Sequence, residues 1–134
     1  MRSVLVAATL SLSVLPALAG EGFPICGGGK RVNCVVDGDT FWVAGTKVRI
    51  AGIDAPEVSS PHCRAERALG DEATLRLAAL LSAGAFELLA GPQDEDRYGR
   101  KLRTVMRGGV SIGEQLVDEG LARRWDGARR SRCN

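Results

Sequence analysis

An excess of charge of either sign is nearly absent from this 134-residue sequence. Its 18 Lys and Arg against 16 Asp and Glu leave a formal net charge of +2. A balance that small does not mark a nucleic-acid binder, so any such function has to come from where the charges sit. Thiolate metal pairs are missing too: there are four cysteines, but no C-x-x-C spacing that would suggest a closely ligated ion. Gly27-Gly28-Gly29 is not followed by the Lys-Ser/Thr of a phosphate cradle and reads as a flexible stretch. No internal repeat is visible, and the composition is not that of a disordered tail, a collagen or a coiled coil. What remains is one domain's worth of polymer, 45% hydrophobic and able to bury a core.

Residues 1–19 stand apart. Arg2 supplies a short positive start, 4–15 are apolar apart from Thr and Ser, and Pro16-Ala17-Leu18-Ala19 has the small-residue ending of a cleavage site. The run is too short for the roughly 20 residues a bilayer needs, and no basic cluster follows it directly. A signal peptide at 1–19 is therefore expected, with the mature protein periplasmic or extracellular and not membrane-bound. In an oxidising compartment Cys26, Cys34, Cys63 and Cys133 form two disulfides by default. Three connectivities are open; the reading leans to Cys26–Cys34 closing a local loop and Cys63–Cys133 tying down the C-terminal end. Residues 20–31 are expected to be a flexible lead-in to a domain over 32–134.

Strand signals run from 32–36 through 40–44 and 46–51, separated by Asp37-Gly38-Asp39 and Gly45. A helix opens near Pro61 and Arg64 and carries apolar residues at helical spacing as far as Ser82 and Gly84. Residues 85–90 read as a short buried strand and 102–106 as another. Ser111-Ile112-Gly113-Glu114 has the form of a reciprocal capping box, and Gly120 is a natural helix stop. The expected fold class is a β-rich α+β domain: a five-stranded OB-type β-barrel with two or three helices.

Two segments carry the chemistry. Asp37 and Asp39 flank a glycine at a bend, Asp54 closes the third strand, and Pro56 stiffens the path to Glu57. Several acids crowding one end of a barrel repel one another unless a positive charge intervenes, and a hard cation with oxygen ligands, Ca²⁺ or Mg²⁺, resolves this. An EF-hand is excluded: counting from Asp37, its twelfth position falls on Val48. Arg49 lies inside a strand, where a guanidinium needs a partner or a polar site. The second segment, Asp96-Arg97-Tyr98-Gly99-Arg100, adds another arginine. Two arginines, a cation and a glutamate are the parts phosphoryl transfer requires. Taken singly each residue has an ordinary reading, as turn, structural ion pair, solvated charge or packing aromatic; their joint order and spacing carry the signal. His62 is expected to be a bystander, since Ca²⁺ prefers oxygen.

These segments resemble the signatures of the staphylococcal nuclease (thermonuclease) family: Asp37-Gly38-Asp39-Thr40-Phe41, the stretch from Arg49 to Asp54-Ala55-Pro56-Glu57, and Asp96-Arg97-Tyr98-Gly99-Arg100, continuing through 116–122. The resemblance implies a Ca²⁺-dependent endonuclease acting on DNA and RNA, single-stranded or locally opened, to leave 3′-phosphate and 5′-hydroxyl ends. It implies Asp39, Asp54 and the Ala55 backbone carbonyl as metal ligands, with Asp37 in the outer shell. It implies Glu57 at the attacking water, Arg49 and Arg100 on the phosphate, and Arg97 and Tyr98 in the nucleotide pocket. A monomer is expected. Where the family pattern has a nucleotide-stacking tyrosine after the Gly-Leu-Ala turn, Trp125 and Asp126 stand instead, and Trp125 either stacks on a base or seals the core. The family's long C-terminal helix has no counterpart before Asn134, so Cys133 is expected to fasten that end.

From Arg97 onward basic residues gather, among them Arg103, Arg107, Arg123, Arg129, Arg130 and Arg132. Such a stripe suits a polyanion backbone. The rival reading is a catalytically silent module of the same fold that binds nucleic acid or protein. Against it stands the full set Asp39, Arg49, Asp54, Glu57 and Arg100.

Overall fold

The structure is a computed structural model and describes residues 22–134; the expected signal peptide lies outside the described residues. Three short strands open the fold: β1 (Cys34–Asp37), β2 (Thr40–Val43) and β3 (Thr46–Ile50). They pair antiparallel in sequence, with Val35 opposite Phe41 and Phe41 opposite Val48. This alternation sends Val35, Phe41, Val48 and Ile50 inward, all essentially buried. The β2–β3 turn is two residues long, and both Ala44 and Gly45 have positive φ, the twist a tight hairpin needs. Gly38, in the β1–β2 turn, is demanded by proximity. A Cβ there would lie 2.7 Å from the Ala73 Cβ and 2.8 Å from the Ala55 Cβ.

After β4 (Ile53–Asp54) comes α1 (Arg64–Ser82), which lays Ala73, Leu77, Leu80 and Leu81 against the sheet. Then follow β5 (Glu87–Glu95), β6 (Lys101–Arg107), β7 (Val110–Ser111), α2 (Ile112–Asp118) and β8 (Arg123–Arg124). The main sheet runs β1-β2-β3-β6-β5, with β3 and β6 parallel and β7 beside β6; β4 and β8 form a separate antiparallel pair. The α+β class and two helices match expectation. The closed five-stranded barrel does not: among the described residues no ladder joins β1 to β5, and three extra strands of two residues each are present. Strands that short carry too little alternation to be read from sequence. The expected buried strand at 85–90 is instead the longer, mostly exposed β5, because it lies at the edge of the sheet and pairs with β6 alone.

The α2 cap is half of the expected box. Ser111 Oγ accepts from the Glu114 N–H at 3.1 Å, but the Glu114 carboxylate turns away to Arg124, 2.6 Å from its Nη2. Gly120 ends the helix as expected. Its φ is 75°, its N–H donates to the Val117 carbonyl, and the Leu121 N–H donates to the Leu116 carbonyl, a Schellman closure.

The lead-in expected to be flexible is anchored over its middle. Phe23 packs in a triad with Phe41 and Phe86, its N–H donates to Ser82 Oγ, and Ile25 bridges to Val35. Both favoured disulfides are present, Cys26–Cys34 and Cys63–Cys133. They differ in reach, spanning 8 and 70 residues of sequence. Among the described residues no helix is long and apolar enough to cross a membrane.

Candidate active site

Short backbone connections place the acidic residues. Asp37 and Asp39 face one another across Gly38, with Asp37 Oδ1 accepting the Asp39 N–H at 3.1 Å. The Asp39 carboxylate is buried and fixed on both oxygens: Oδ1 accepts from Thr40 Oγ1 at 2.9 Å and Oδ2 from the Ala55 N–H at 2.8 Å. That second bond ties the β1–β2 turn to the end of β4, so Asp39 and Asp54 face the same space. Arg49 lies between them. Its Nη1 donates to the carbonyls of Ile50 (2.6 Å) and Ile53 (2.9 Å), which aims Nη2 at Asp39 Oδ2 (3.4 Å) and Asp54 Oδ1 (3.9 Å). A guanidinium inside a strand is thereby explained: the β3–β4 connection offers it two carbonyls and the Asp54 carboxylate, and the β1–β2 turn offers the Asp39 carboxylate.

The carboxylates of the cluster outnumber Arg49, the one arginine inside it from the strands. Burial first, then the Asp39 carboxylate and Glu57, push the Asp37 carboxyl up to about 8. Together with Asp39, Asp54 and Glu57 it makes an oxygen-only donor set in excess of the Arg49 charge, and such a set fits a hard divalent cation. Sulfur offers no competing site, because Cys63 and Cys133, close to Glu66, are bonded to each other.

Beyond Arg49 lies a groove of about 720 Å³, lined by Arg49, Arg97, Tyr98, Arg100, Trp125 and Arg129. The Asp96 carboxylate builds its far wall. Oδ1 accepts the N–H groups of Tyr98 (2.9 Å) and Arg100 (3.0 Å), Oδ2 accepts from Arg100 Nε (2.6 Å), and Gly99 takes a positive φ to close the turn. Burial works against that carboxylate's charge, but the bonds from Arg100 and Tyr98 hold it below the usual carboxylate range. Tyr98, 68% exposed, lies under the guanidinium groups of Arg97 (4.8 Å) and Arg100 (5.3 Å), an open aromatic face. Trp125, its backbone N–H donating to the Gly52 carbonyl, lines the same groove and is 45% exposed, so its side chain does not seal the core.

The structure thus brings Asp37, Asp39, Arg49, Asp54, Ala55 and Glu57 together and sets Arg97, Tyr98, Arg100 and Trp125 across the groove. Arg100 makes no contact with the carboxylates other than Asp96 in its own loop. Much of the expected basic stripe is internally neutralised. Lys101 and Arg103 pair with Asp94, Arg124 with Glu114 and Arg130 with Asp126, while Arg107 binds the carbonyls of Gly84 and Ala85.

Two site residues escaped the sequence reading as individuals. Arg129 Nη1 donates to Glu57 Oε1 at 2.7 Å, and Arg132 donates to the Asp54 carbonyl at 2.6 Å and to its Oδ2 at 3.3 Å. With Glu57, His62 and the buried Glu66 they line a second cavity of about 300 Å³. The available signal was Cys133: once paired with Cys63 it brings the neighbouring Arg132 to the mouth of α1.

Comparison with known proteins identifies a family. The family described as staphylococcal nuclease homologue matches residues 47–133, which include Arg49, Asp54, Glu57 and Arg100. The thermonuclease of Staphylococcus hyicus is 35% identical over 97 residues, 69% of this chain and 57% of that protein. Endonuclease YncB of Bacillus subtilis is 38% identical over 93 residues, 66% of this chain and 44% of that protein. The succinoglycan biosynthesis protein ExoI of Rhizobium meliloti is 33% identical over 123 residues, 87% of this chain and 61% of that protein. The chain thus spans about half the length of these curated relatives. The family match extends over most of the chain and includes Arg49, Asp54, Glu57 and Arg100, while Asp37 and Asp39 precede it: the chain belongs to the staphylococcal nuclease family.

Proposed function

We propose that the protein is an exported, Ca²⁺-dependent endonuclease that hydrolyses phosphodiester bonds of DNA and RNA, single-stranded or locally opened, leaving 3′-phosphate and 5′-hydroxyl ends. One observation carries this reading. Arg49 is locked between Asp39 and Asp54 on the wall of a groove whose other wall presents Arg100 and Tyr98, while Asp54 also lines an adjoining cavity with Glu57. The printed names of the relatives, thermonuclease and endonuclease, support it. Export by 1–19 into a periplasm or beyond the cell rests on the sequence pattern and agrees with the two disulfides. The strand order β1-β2-β3-β6-β5 with its parallel β3–β6 step supports reading the domain, 32–134, as an OB-type barrel whose last seam lacks a ladder.

In this reading Asp39, Asp54 and the Ala55 carbonyl would hold Ca²⁺, with Asp37 reached through water, and the ion when bound would offset the charge growing on the phosphate. Glu57 accepts the proton of the attacking water, whose oxygen bonds to phosphorus as the P–O5′ bond breaks; the electron pair of that bond passes to the 5′-oxygen, which takes a proton from solvent to leave as the 5′-hydroxyl. Arg49 presents Nη2 to the equatorial oxygens. Arg100 engages Asp96 through Nε and turns its terminal nitrogens to the phosphate, close enough to assist the departing oxygen. Tyr98, Arg97 and Trp125 form a face on which a base stacks.

The deciding experiment mixes the mature chain with end-labelled single-stranded DNA, with Ca²⁺ and then with a chelator, beside Glu57→Gln. Calcium-dependent cleavage that falls about 10²–10⁴-fold in the variant is expected for loss of a general base. A silent binding module has one observation in its favour, the guanidinium groups already seated on Glu57 and Asp54. Binding without cleavage by the folded, calcium-loaded protein would establish it instead.

A further inference from the structure

Arg129 is the one described residue that lines both the carboxylate cavity and the arginine groove. Its place is built from both sides. Upstream, the Trp125 N–H is held by Gly52 and Asp126 accepts from the Ala128 N–H and from Arg130. Downstream, Arg132 is nearly buried, its side chain 8% exposed, on the carboxylate and carbonyl of Asp54, and Cys133 is bonded to Cys63. The segment between cannot drift far, so the exposed Arg129 guanidinium is presented at the junction of the two spaces.

Its present partner is poorly suited to a working site. The Glu57 carboxylate that the proposed reaction needs at its water is engaged by the Arg129 guanidinium at 2.7 Å. The same guanidinium uses one nitrogen on Glu57, and a guanidinium's fork of donors matches two phosphate oxygens. An anion entering the groove between Arg49 and Arg100 meets a space that Arg129 also lines.

We propose that Arg129 is a third phosphate-contacting arginine, supplied by the disulfide-stapled tail. It rests on Glu57 while the groove is empty and exchanges that carboxylate for oxygens of the scissile phosphodiester when a polynucleotide binds. Loading the groove thereby frees Glu57. This rests on the nuclease reading above and names a substrate contact outside the three sequence signatures.

The test uses the mature chain, oligodeoxythymidylate as the probe, and the variants Arg129→Ala, Arg129→Lys and Arg67→Ala. Arg67 pairs with Asp71 on α1 and removes the same charge away from the groove. Fluorescence anisotropy in chelator gives affinity against salt, and cleavage in Ca²⁺ gives KM and kcat. For Arg129→Ala we expect about tenfold weaker binding and a salt slope shallower by about 0.7, the loss of one single-strand phosphate contact. KM should rise in step. Arg129→Lys should recover the slope and only part of the affinity, and Arg67→Ala should match wild type. An unchanged slope and KM in Arg129→Ala would overturn the contact. So would faster turnover with an unchanged slope, which would make Arg129 a cover on Glu57. Wild-type protein that neither binds nor cuts would overturn the nuclease reading first, and this inference with it.

Discussion

The two halves of the site are held in place by different forces. Residues 37–57 are positioned by the core: Gly38 lies so close to α1 that an added Cβ would fall 2.7 Å from the Ala73 Cβ, Asp39 is bonded to the Ala55 N–H, and Arg49 is braced on two carbonyls of its own turn. The tail, 125–133, is positioned by one covalent link of sequence separation 70 and a set of ion pairs, several of them exposed. The first half cannot move without disturbing buried side chains. The second rests on fewer buried contacts, chiefly Arg132 on Asp54 and the Cys63–Cys133 link. Invariable chemistry suits the first arrangement and adjustable substrate contact the second, and that is how the roles divide.

The sharpest way to break the first half is Asp39→Ala. It removes the acceptor for Ala55 and Thr40, one oxygen donor of the cation set, and the nearer carboxylate partner of Arg49. Stripping one member from a buried pair costs about 3–5 kcal/mol. Calorimetric titration of Ca²⁺ should show binding lost, and cleavage should fall at least about 10³-fold. Full turnover in this variant would remove Asp39 from the site.

The tail is broken by Cys63→Ser with Cys133→Ser. A link closing 70 residues stabilises a chain by about 4 kcal/mol in the chain-entropy account, and measured values for such links run about 2–4. We expect denaturant midpoints to fall accordingly, with kcat held within about threefold and KM raised, because Arg129 is released while Asp39, Arg49 and Asp54 stay. A kcat collapse as deep as that of Asp39→Ala would erase the distinction between the halves.

The same division governs what the sequence disclosed. Asp37, Asp39, Arg49 and Asp54 fall in one hairpin-rich stretch where turn residues and strand periodicity fix geometry locally, so their convergence could be argued from spacing. The Asp96 loop was legible for the same reason, since one carboxylate organises its own next four residues. Arg129 and Arg132 were visible only as part of a basic stripe. Nothing within ten residues of them specifies Glu57 or Asp54 as a partner, and even the correct disulfide does not say which arginine turns inward. The barrel seam failed for another reason. Closure depends on whether β1 and β5 meet edge to edge, a relation between distant strands that binary patterning does not encode.

The smallest effect sharpens the comparison from inside the first half. The Asp37 carboxyl titrates at about 8 in the fold against 3.8 as an unperturbed group, raised by burial and by the charges of Asp39 and Glu57. Between those values the folded protein binds a proton that the unfolded chain does not. By linkage this contribution makes stability fall as pH rises, from unpenalised below about 4 to fully penalised above about 8. The sign is opposite to that of a carboxylate settled in an ion pair, whose contribution is lost on acidification. Other groups titrate in the same window, so the readout is the difference between wild type and Asp37→Asn, measured by thermal unfolding in chelator. The variant should melt several degrees higher than wild type at pH 8 and converge with it toward pH 4. Parallel curves at every pH would mean that the tail arginines already neutralise the cluster. The second half would then be as much a part of the resting site as the first.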